Sequence, residues 1–408
     1  MKCRHCNNEL KQIFADLGNA PPSNAYLTKK DLGAPEKWLP LRVLVCEKCL
    51  LVQTEDFTER EILFQDDYAY FSSFSSTWLD HAERYVKEMV DRFNLNSQSH
   101  VVEVASNDGY LLQYIVAKNI PCTGIEPTKS TAVVARSKGI TVLEEFFGIK
   151  LAKKLVDQGK QADLLVANNV LAHVPDINDF LSGFALLLKC DGVATFEFPH
   201  LLRLIEENQY DTIYHEHFSY LSFLVVNNIF SANGLTVFDV EELQTHGGSL
   251  RVFAQRTDTK KHSVTNKVQF ILKNEELAGL GNLDYYRGMN SRLEKLKNDF
   301  LIFLINAKNN GKSVAAYGAA AKGNTLLNYA GIRSDLISYV VDKNPAKEGK
   351  YMPGSHIPIV NENYIKINKP DYVVILPWNL ADEIKNQLKY IREWSGSFVL
   401  AVPYLKID

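Results

Sequence analysis

Residues 100–199 alternate between short apolar runs and segments with a helical pattern, and this rhythm constrains the fold more than any other feature of the chain. The apolar runs are H-V-V-E-V at 100–104, C-T-G-I-E-P at 122–127, A-D-L-L-V-A-N-N-V at 162–170 and G-V-A-T-F-E-F-P at 192–199. Apolar runs of this length, bounded by turn residues and separated by helices, predict buried strands of a parallel sheet. The sequence therefore predicts an α/β fold.

The first two predicted strands carry the signals of a nucleotide-binding site. The turn A-S-N-D-G at 105–109 follows the first strand, and the second strand ends in Glu126. In such a unit the turn approaches the ligand and the carboxylate accepts hydrogen bonds from ribose hydroxyls. The turn lacks the G-x-G-x-x-G pattern, so a dinucleotide is disfavoured. A cofactor that contains adenosine is therefore expected.

Four of the six cysteines form two C-x-x-C pairs near the start of the chain, Cys3 with Cys6 and Cys46 with Cys49. Two such pairs are typical of a tetrahedral zinc site, in which each pair presents two thiolates to one metal ion. No water-activating residues surround them, so we expect a structural zinc. Disulfide or redox use is the alternative, which a reducing compartment disfavours.

Length and composition indicate a protein of two to three domains, because the chain has 408 residues. The formal net charge is -3 and no strongly basic run is present, which argues against nucleic acid as a partner. No apolar run approaches about 18 residues, and the start M-K-C-R-H-C lacks the layout of a signal peptide. We expect a cytoplasmic protein with no membrane segment.

The stretch Y-D-T-I-Y-H-E-H-F-S-Y at 210–220 places Tyr214, His215, Glu216 and His217 side by side. An imidazole titrates near neutral pH, a phenol can donate to a developing oxyanion, and a carboxylate can orient an imidazole. The cluster predicts acid–base chemistry. A polar turn whose histidines only satisfy backbone groups is the alternative.

Two later segments carry further polar candidates. T-H-G-G-S-L-R-V at 245–252 is a glycine turn whose amides and side chains could hold an oxyanion, or else an ordinary turn that enters a strand. From residue 312 a second α/β unit begins, with strands predicted at 312–318, 337–345 and 371–379. Its likeness to the first unit predicts a second nucleotide-handling domain.

Several motifs together resemble one known family over nearly the whole chain. E-V-A-S-N-D-G-Y-L-L resembles the first motif of class I S-adenosylmethionine-dependent methyltransferases, with Ala105 in place of its first glycine. With the zinc cysteines, D-Y-A-Y-F-S-S, N-V-L-A-H-V-P-D, E-F-P-H, Y-H-E-H-F-S-Y, T-H-G-G-S-L-R-V and Y-G-A-A-A-K-G-N-T, it resembles the three-domain sugar C-methyltransferases. The resemblance implies a class I methyltransferase domain at 66–255, between a zinc-binding module at 1–65 and a Rossmann-like C-terminal nucleotide-sugar-binding domain at 256–408.

The resemblance also implies a reaction, methylation of C3 of a nucleotide-linked 4-keto-deoxysugar through an enolate, and roles for particular residues. His217 would be the base, with Tyr214 as the other candidate, beside Glu216, His173 and Tyr68, or Tyr70 if the alignment slips by two. Residues expected at the S-adenosylmethionine are Glu103, Ser106, Asn107, Asp108, Gly109, Glu126, Pro127, Phe146, Phe147, Asn168 and Asn169. Residues expected at the nucleotide-sugar are His246, Ser249, Arg251, Gly318, Lys322 and Asn324, with Lys322 facing the diphosphate.

The sequence leaves other functions open. An O- or N-methyltransferase would need the same cofactor but no enolate stabilisation. A non-catalytic zinc and α/β scaffold, or a nicotinamide oxidoreductase, agrees less well with the clustered Tyr, His and Glu and with the missing glycine pattern. Thymidine, guanosine and cytidine all stay open as the nucleotide, with thymidine diphosphate favoured, and one complete set of three domains permits a monomer.

Overall fold

The computed structural model of the protein describes residues 1–57 and 71–408. Its strands are β1 (Gln12–Ala20), β2 (Leu39–Val45), β3 (Val52–Thr54), β4 (Val101–Val104), β5 (Cys122–Ile125), β6 (Thr141–Leu143), β7 (Ala162–Asn168), β8 (Leu188–Pro199), β9 (Ser219–Tyr220), β10 (Leu235–Leu243), β11 (Ser249–Arg256), β12 (Val314–Tyr317), β13 (Val340–Val341), β14 (Ile359–Val360), β15 (Tyr372–Ile375), β16 (Ser397–Leu400) and β17 (Lys406–Ile407). Its α-helices are α1 (Ser76–Phe93), α2 (Leu112–Val116), α3 (Lys129–Ser137), α4 (Ile149–Asp157), α5 (Ile177–Leu187), α6 (Leu201–Glu206), α7 (Phe223–Ala232), α8 (Asn266–Ala278), α9 (Met289–Asn309), α10 (Ala321–Tyr329), α11 (Asn363–Asn368) and α12 (Ala381–Gln387).

A seven-stranded sheet contains the four apolar runs of residues 100–199, in the order β10-β11-β8-β7-β4-β5-β6. Strands β8, β7, β4, β5 and β6 are parallel to one another. Strand β11 is antiparallel to both β8 and β10. The chain proceeds one way from β4 to β5 and β6, and the other way from β7 to β8. The topological switch point, where such sheets bind ligands, therefore lies between β4 and β7. This topology confirms the predicted α/β fold.

A second mostly parallel sheet is formed by the C-terminal residues, in the order β14-β13-β12-β15-β16-β17. Only β17 is antiparallel to its neighbour. The chain again leaves the central pair in opposite directions, from β12 to β13 on one side and from β15 to β16 on the other. This sheet therefore has its own switch point between β12 and β15, as expected for a second Rossmann-like unit.

The cysteine-bearing residues form a third, antiparallel sheet in the order β1-β2-β3-β9. Its last strand comes from the distant segment Ser219–Tyr220, with Val52 opposite Tyr220. The sheet packs on the C-terminal domain: Phe14 meets the Tyr286 ring edge-on at a centroid distance of 6.2 Å. The N-terminal module is thus fixed to both other parts of the chain.

Helix α1 shows how local sequence sets an element that reaches the site. The Ser75 hydroxyl accepts a hydrogen bond from the backbone N–H of Trp78 at 3.3 Å, which caps the first turn. Asn94 ends the helix in the left-handed conformation, with φ 51°. Tyr85, Val86 and Met89 form the buried face. Its two capping residues therefore set where the helix begins and ends.

The predicted domain limits, 1–65, 66–255 and 256–408, stay a prediction, and β9 is a strand that crosses them because it belongs to the N-terminal sheet. Among the helices of residues 1–57 and 71–408, none is both long enough and apolar enough to cross a membrane.

Candidate active site

A cavity of about 410 Å³ lies where the two switch points face each other. On one side it is lined by residues that follow β4, β5 and β7, among them Ala105, Glu126 and Asn169. On the other side it is lined by residues that follow β12 and β15, among them Lys322 and Asn379. Both parallel sheets therefore present their carboxyl ends, the usual ligand-binding edge, to one shared space.

Glu126 is held on the wall of the first sheet and is almost fully buried. Its two oxygens accept hydrogen bonds from the backbone N–H groups of Asn107 and Thr128, each at 2.9 Å. Burial raises the pKa of Glu126, and these hydrogen bonds oppose that shift by favouring the charged form. A carboxylate oriented in this way keeps lone pairs that can accept from ribose hydroxyls.

Two asparagines at the end of β7 provide an independent test of whether a ligand fits. Asn168 and Asn169 line the cavity. The Oδ1 atom of each is buried and has no hydrogen-bond partner among the described residues. Buried polar atoms are nearly always satisfied, so these two carbonyl oxygens fit a ligand that brings its own donors. The other predicted cofactor residues on this wall are Asn107, Pro127, Phe146 and Phe147.

The turn after β4 has a left-handed backbone at three positions, with φ 56° at Ala105, 47° at Asn107 and 75° at Gly109. The φ of Gly109 favours glycine, and a Cβ there would also lie 3.3 Å from the Cα atom of Ala135, a tight contact. Ala105 takes the left-handed conformation at a steric cost where the usual motif has glycine. The turn thus brings Ala105 and Asn107 to the cavity wall.

Four residues predicted at the cofactor lie away from the cavity wall: Glu103, Ser106, Asp108 and Gly109. Glu103 is an interior residue of β4, where burial raises the pKa of its carboxyl well above its usual value. The Asp108 carboxylate accepts from the backbone N–H of Ser73 at 3.3 Å, and Ser106 packs against Gly124. These side chains shape the turn from behind and do not face its ligand side.

The predicted acid–base cluster lines the same cavity through His173, Tyr214, Glu216 and His217. The ring centroid of His217 lies 3.9 Å from that of Tyr214 and 4.6 Å from that of His173. His215 instead contacts the Pro40 carbonyl through Nε2 at 3.2 Å and does not line the cavity. The structure thus brings His173, which follows β7, together with three residues of the 210–220 motif.

The protonation state of His217 follows from its surroundings. Its Nδ1–H donates to the Thr212 carbonyl at 2.8 Å, which leaves the lone pair on Nε2. Nε2 has no hydrogen-bond partner among the described residues. Burial lowers the pKa of His217 well below its usual value, and burial lowers that of His173 to about 4. Both rings are therefore neutral near pH 7, and His217 can accept a proton.

Glu216 is positioned by a residue of the N-terminal module. The Nδ2 of Asn24 donates to the two carboxylate oxygens of Glu216 at 2.7 and 3.0 Å. Both residues line the cavity. The Asn24 amide therefore fixes the orientation of the Glu216 carboxylate at the cavity wall.

Lys322 enters the cavity from the start of α10. Its ammonium donates to the Asn379 Oδ1 at 2.7 Å and lies 4.7 Å over the Trp378 ring. Trp378 in turn donates from Nε1 to the Asp211 Oδ2 at 2.8 Å. Burial lowers the pKa of Lys322 and raises that of Asp211 to about 6, while their opposite charges resist both shifts. The Lys322 charge also lowers the pKa of His217.

Of the glycine turn, only His246 lines the cavity. Its Nε2 accepts from the Nδ2 of Asn169 at 3.1 Å, and burial lowers its pKa to about 4. Gly247 has φ 86°, and a Cβ there would lie 2.3 Å from the Trp378 ring. The turn therefore packs tightly against the C-terminal domain, and its glycines serve that contact.

Four residues predicted at the nucleotide-sugar, Ser249, Arg251, Gly318 and Asn324, lie away from the cavity wall. Arg251 pairs with the buried Glu197 at 3.4 Å, and the Ser249 hydroxyl donates to the Thr245 carbonyl at 2.9 Å. Asn324 donates from Nδ2 to the Ser23 carbonyl at 2.5 Å. Gly318, with φ 91°, packs against Pro377. Their polar groups are used in contacts between elements, which spacing in the sequence does not show.

The four cysteines Cys3, Cys6, Cys46 and Cys49 form one cluster, with all sulfur atoms within 4.8 Å of each other. The Sγ atoms of Cys3 and Cys49, and those of Cys6 and Cys46, are 3.5 Å apart. That spacing exceeds a disulfide bond of about 2.05 Å and fits thiolates around one ion, since Zn–S bonds of about 2.3 Å give sulfur–sulfur distances near 3.8 Å. The cluster fits a structural zinc, because four thiolates close the coordination sphere of one ion.

Some cavity residues were not predicted, namely Asn24, Trp78, Lys347 and Asn379. Asn379 could have been found, because it follows a predicted strand of the second α/β unit at the ligand-binding edge. Asn24 carries no such signal, since only the folding of the N-terminal module brings it to the site. Tyr68 and Tyr70 lie outside the described residues.

Three family models match consecutive parts of the chain. A zinc binding domain matches residues 3–64, a methyltransferase domain 78–240, and a C-methyltransferase C-terminal domain 244–403. The sheet order, the cavity and these matches define an S-adenosylmethionine-dependent methyltransferase of class I fold with a zinc-binding module.

A relative of the same length identifies the family. The chain is 32% identical over 402 residues to the C-methyltransferase NovU of Streptomyces niveus, covering 98% of this chain and 95% of that protein. The chain therefore belongs to the C-methyltransferase family.

Solved structures resemble part of the chain. Magnesium protoporphyrin IX methyltransferase from Synechocystis PCC 6803, with bound SAH, has 17% identity and a TM-score of 0.35, covering 44% of this chain and 82% of that one. The PH0226 protein from Pyrococcus horikoshii has 13% identity and a TM-score of 0.39, covering 49% and 100%.

Proposed function

We propose that the protein transfers a methyl group from S-adenosylmethionine to C3 of a nucleotide-linked 4-keto-deoxysugar, with thymidine diphosphate as the favoured nucleotide. One observation carries the proposal: two topological switch points open onto one cavity that His217 also lines. One switch point suits the adenosine of the cofactor and the other suits a second nucleotide. A reaction between two nucleotide-bearing molecules needs such a shared space.

The chain's residues supply the proton chemistry that methylation of a sugar carbon requires. A hydrogen on carbon next to a ketone is acidic, and a positioned base can remove it to leave an enolate. We assign His217 as that base because its Nε2 lone pair is available and its Nδ1–H is held by the Thr212 carbonyl. Negative charge developing on the enolate favours the imidazolium and so opposes the burial that lowers the pKa of His217.

Tyr214 is the second candidate for the proton-transfer role. Its ring lies 3.9 Å from that of His217. The Tyr214 phenol can donate a hydrogen bond to the enolate oxygen after His217 has taken the C3 proton. In the alternative arrangement, Tyr214 is the base and His217 is the group beside the enolate. Glu216 and His173 complete the group, Glu216 as an acceptor for a sugar hydroxyl or an imidazole.

The opposite wall of the cavity supplies positive charge for the diphosphate. Lys322 lies in the first turn of α10, and Ala321, where the helix begins, also lines the cavity. The first backbone N–H groups of a helix have no partner within it and carry partial positive charge. An ammonium beside them favours a diphosphate at this wall.

S-adenosylmethionine, when bound, supplies a methyl group already activated on a sulfonium. The chain then has to align the sugar carbon with that methyl group and exclude water. Asn168, Asn169 and Glu126 would hold the cofactor on its side of the cavity.

Calorimetric titration tests the proposal. The purified protein is titrated with S-adenosylhomocysteine and, separately, with dTDP, GDP and CDP. Binding of S-adenosylhomocysteine together with one diphosphate, tightest for dTDP, is the expected result. Binding of S-adenosylhomocysteine with no response to any of the three diphosphates would overturn the nucleotide-linked substrate while leaving the methyltransferase in place.

A further inference from the structure

The contact between Asn24 and Glu216 joins the zinc-bearing module to the acid–base cluster across 192 positions of sequence. We propose that Asn24 is a positioning residue, which holds the Glu216 carboxylate in one orientation in the cavity, so that the N-terminal module takes part in the reaction. The inference rests on the proposed function, because it takes Glu216 to act on the substrate.

The segment around Asn24 is anchored on both sides by the C-terminal domain. Before it, the Ser23 carbonyl accepts from the Asn324 Nδ2 at 2.5 Å. After it, the Tyr26 hydroxyl donates to the Ala319 carbonyl at 2.5 Å. With both neighbours pinned, Asn24 cannot move away from Glu216 without breaking a buried contact. A single amide is thus presented to the cavity in one orientation, as supporting residues of functional sites require.

The same anchors connect three parts of the protein at one point. Asn324 is buried in α10, the helix that also carries Lys322, and Ala319 follows β12. Displacement of the segment would therefore disturb the wall that carries Lys322 as well as the Glu216 carboxylate. Asn324, predicted at the nucleotide-sugar, lies off the cavity wall and holds the segment that carries Asn24.

The groups that face Glu216 set what a change at Asn24 does to the charge. Besides Asn24, the Tyr26 phenol lies close enough that the Glu216 charge raises its pKa, and Asp342 acts on Tyr26 in the same direction. From the C-terminal domain, Lys347 lies 5.2 Å from the Tyr26 ring, and Lys322 lines the same cavity. A carboxylate in place of the Asn24 amide would add a second negative charge beside Glu216.

Asn24→Asp tests the proposal, because it keeps the size of the side chain and places a second carboxylate about 3 Å from the first, where two carboxylates share a proton at low pH and repel at high pH. Asn19→Asp is the matched control, since Asn19 is exposed at the end of β1 in the same module. Zinc content, measured in both, should match that of the unaltered protein.

Two measurements distinguish a failure of the Asn24 proposal from a failure of the proposed function. The melting temperature of Asn24→Asp should fall further below that of the unaltered protein as pH rises from about 5 to about 8, and Asn19→Asp should show no such trend. This measurement needs no substrate. If the melting temperature of Asn24→Asp shows no such pH trend, the Asn24–Glu216 contact is wrong, whatever reaction the protein catalyses.

The second readout is turnover of the 4-keto-deoxysugar linked to whichever diphosphate binds. Asn24→Asp should lower kcat about 10- to 100-fold, with KM changed less than about threefold, and should move the acidic limb of the pH profile of kcat to higher pH. Unchanged kcat and profile overturn the positioning role. If the unaltered protein turns over no such sugar, the proposed function fails instead, and the melting result still decides the contact.

Discussion

The two walls of the cavity differ in how the chain builds them. The cofactor wall comes from one continuous stretch, from the turn at Ala105 to the asparagines that end β7, within a single parallel sheet. The opposite wall is assembled from distant segments that include Asn24, His217, Lys322 and Asn379. The cofactor wall can be formed by one folding unit, whereas the substrate wall requires all three to be in place.

This difference indicates how one fold can keep the same cofactor site while the substrate that accepts the methyl group changes. A parallel sheet places the ligand edge automatically, because its strands all end on the same side. On the acceptor side the same rule places only the residues that follow β12 and β15, whereas Asn24 and His217 reach the cavity through packing between units. Changes in the N-terminal and C-terminal parts can therefore alter the acceptor without disturbing the cofactor site.

The largest effect is expected from loss of the metal that holds the N-terminal module together. Cys46→Ala removes one of four thiolates and should abolish stoichiometric zinc, because a structural zinc supplies folding free energy directly. Atomic absorption and thermal denaturation measure the result. Cys190→Ala, at an exposed cysteine outside the cluster, is the control and should keep full zinc. A folded Cys46→Ala protein with full zinc would contradict the metal assignment.

The next effect concerns the reaction on the assembled wall. His217→Ala should lower turnover about 10²- to 10⁴-fold, the range for a lost general base, while S-adenosylhomocysteine still binds because the cofactor wall is intact. Turnover assays and calorimetry check both halves. The control is His356→Ala, an exposed histidine with 45% side-chain exposure. Turnover unchanged in His217→Ala would remove that residue from the mechanism and favour Tyr214.

A change on the cofactor wall should have the opposite pattern. Glu126→Gln turns one acceptor oxygen into a donor facing the backbone N–H of Asn107 or Thr128. Affinity for S-adenosylhomocysteine should fall about 10- to 100-fold, with little change for the diphosphate. Glu144→Gln, exposed near β6, serves for comparison. Equal loss for both ligands would indicate that the two walls are not independent.

The smallest effect is expected from one positive charge on the substrate wall. Lys322→Met should weaken binding of the preferred diphosphate about tenfold, without altering the affinity for S-adenosylhomocysteine. Calorimetry in parallel with Lys343→Met, an exposed lysine of the same domain, isolates the effect. Unaltered diphosphate affinity would mean that Lys322 interacts with Asp211 and Trp378 and does not bind the diphosphate.

The sequence predicted the parts of the structure that depend on local pattern. The four apolar runs at 100–199 all form strands, and Glu126 lies at the end of β5 on the cavity wall as expected. The cysteine pairs and the Tyr214 to His217 cluster were also found, because their residue types carry the chemistry. Adjacent positions in such motifs were harder to assign: Asp108 and Ser106 belong to the same turn as Asn107 but face away from the cavity.

The remaining site residues depend on packing between units, which no local pattern records. Arg251 was expected at the substrate because of its charge and its glycine turn; in the structure it pairs with Glu197, and neither residue lines the cavity. Asn24 was missed because its module reaches the cavity only through contacts with Asn324 and Ala319. Residue type and spacing do not reveal such contacts in a single sequence.

Deuterium exchange at the sugar carbon tests the central claim most directly. A dTDP-linked 4-keto-deoxysugar is incubated in D₂O with the protein and S-adenosylhomocysteine, and exchange at C3 is followed by NMR. The account predicts exchange at C3 that needs the protein and is lost in His217→Ala, since proton removal precedes methyl transfer. Methylation of the same sugar in the complete reaction with no exchange at C3, or methylation at another atom, would contradict it.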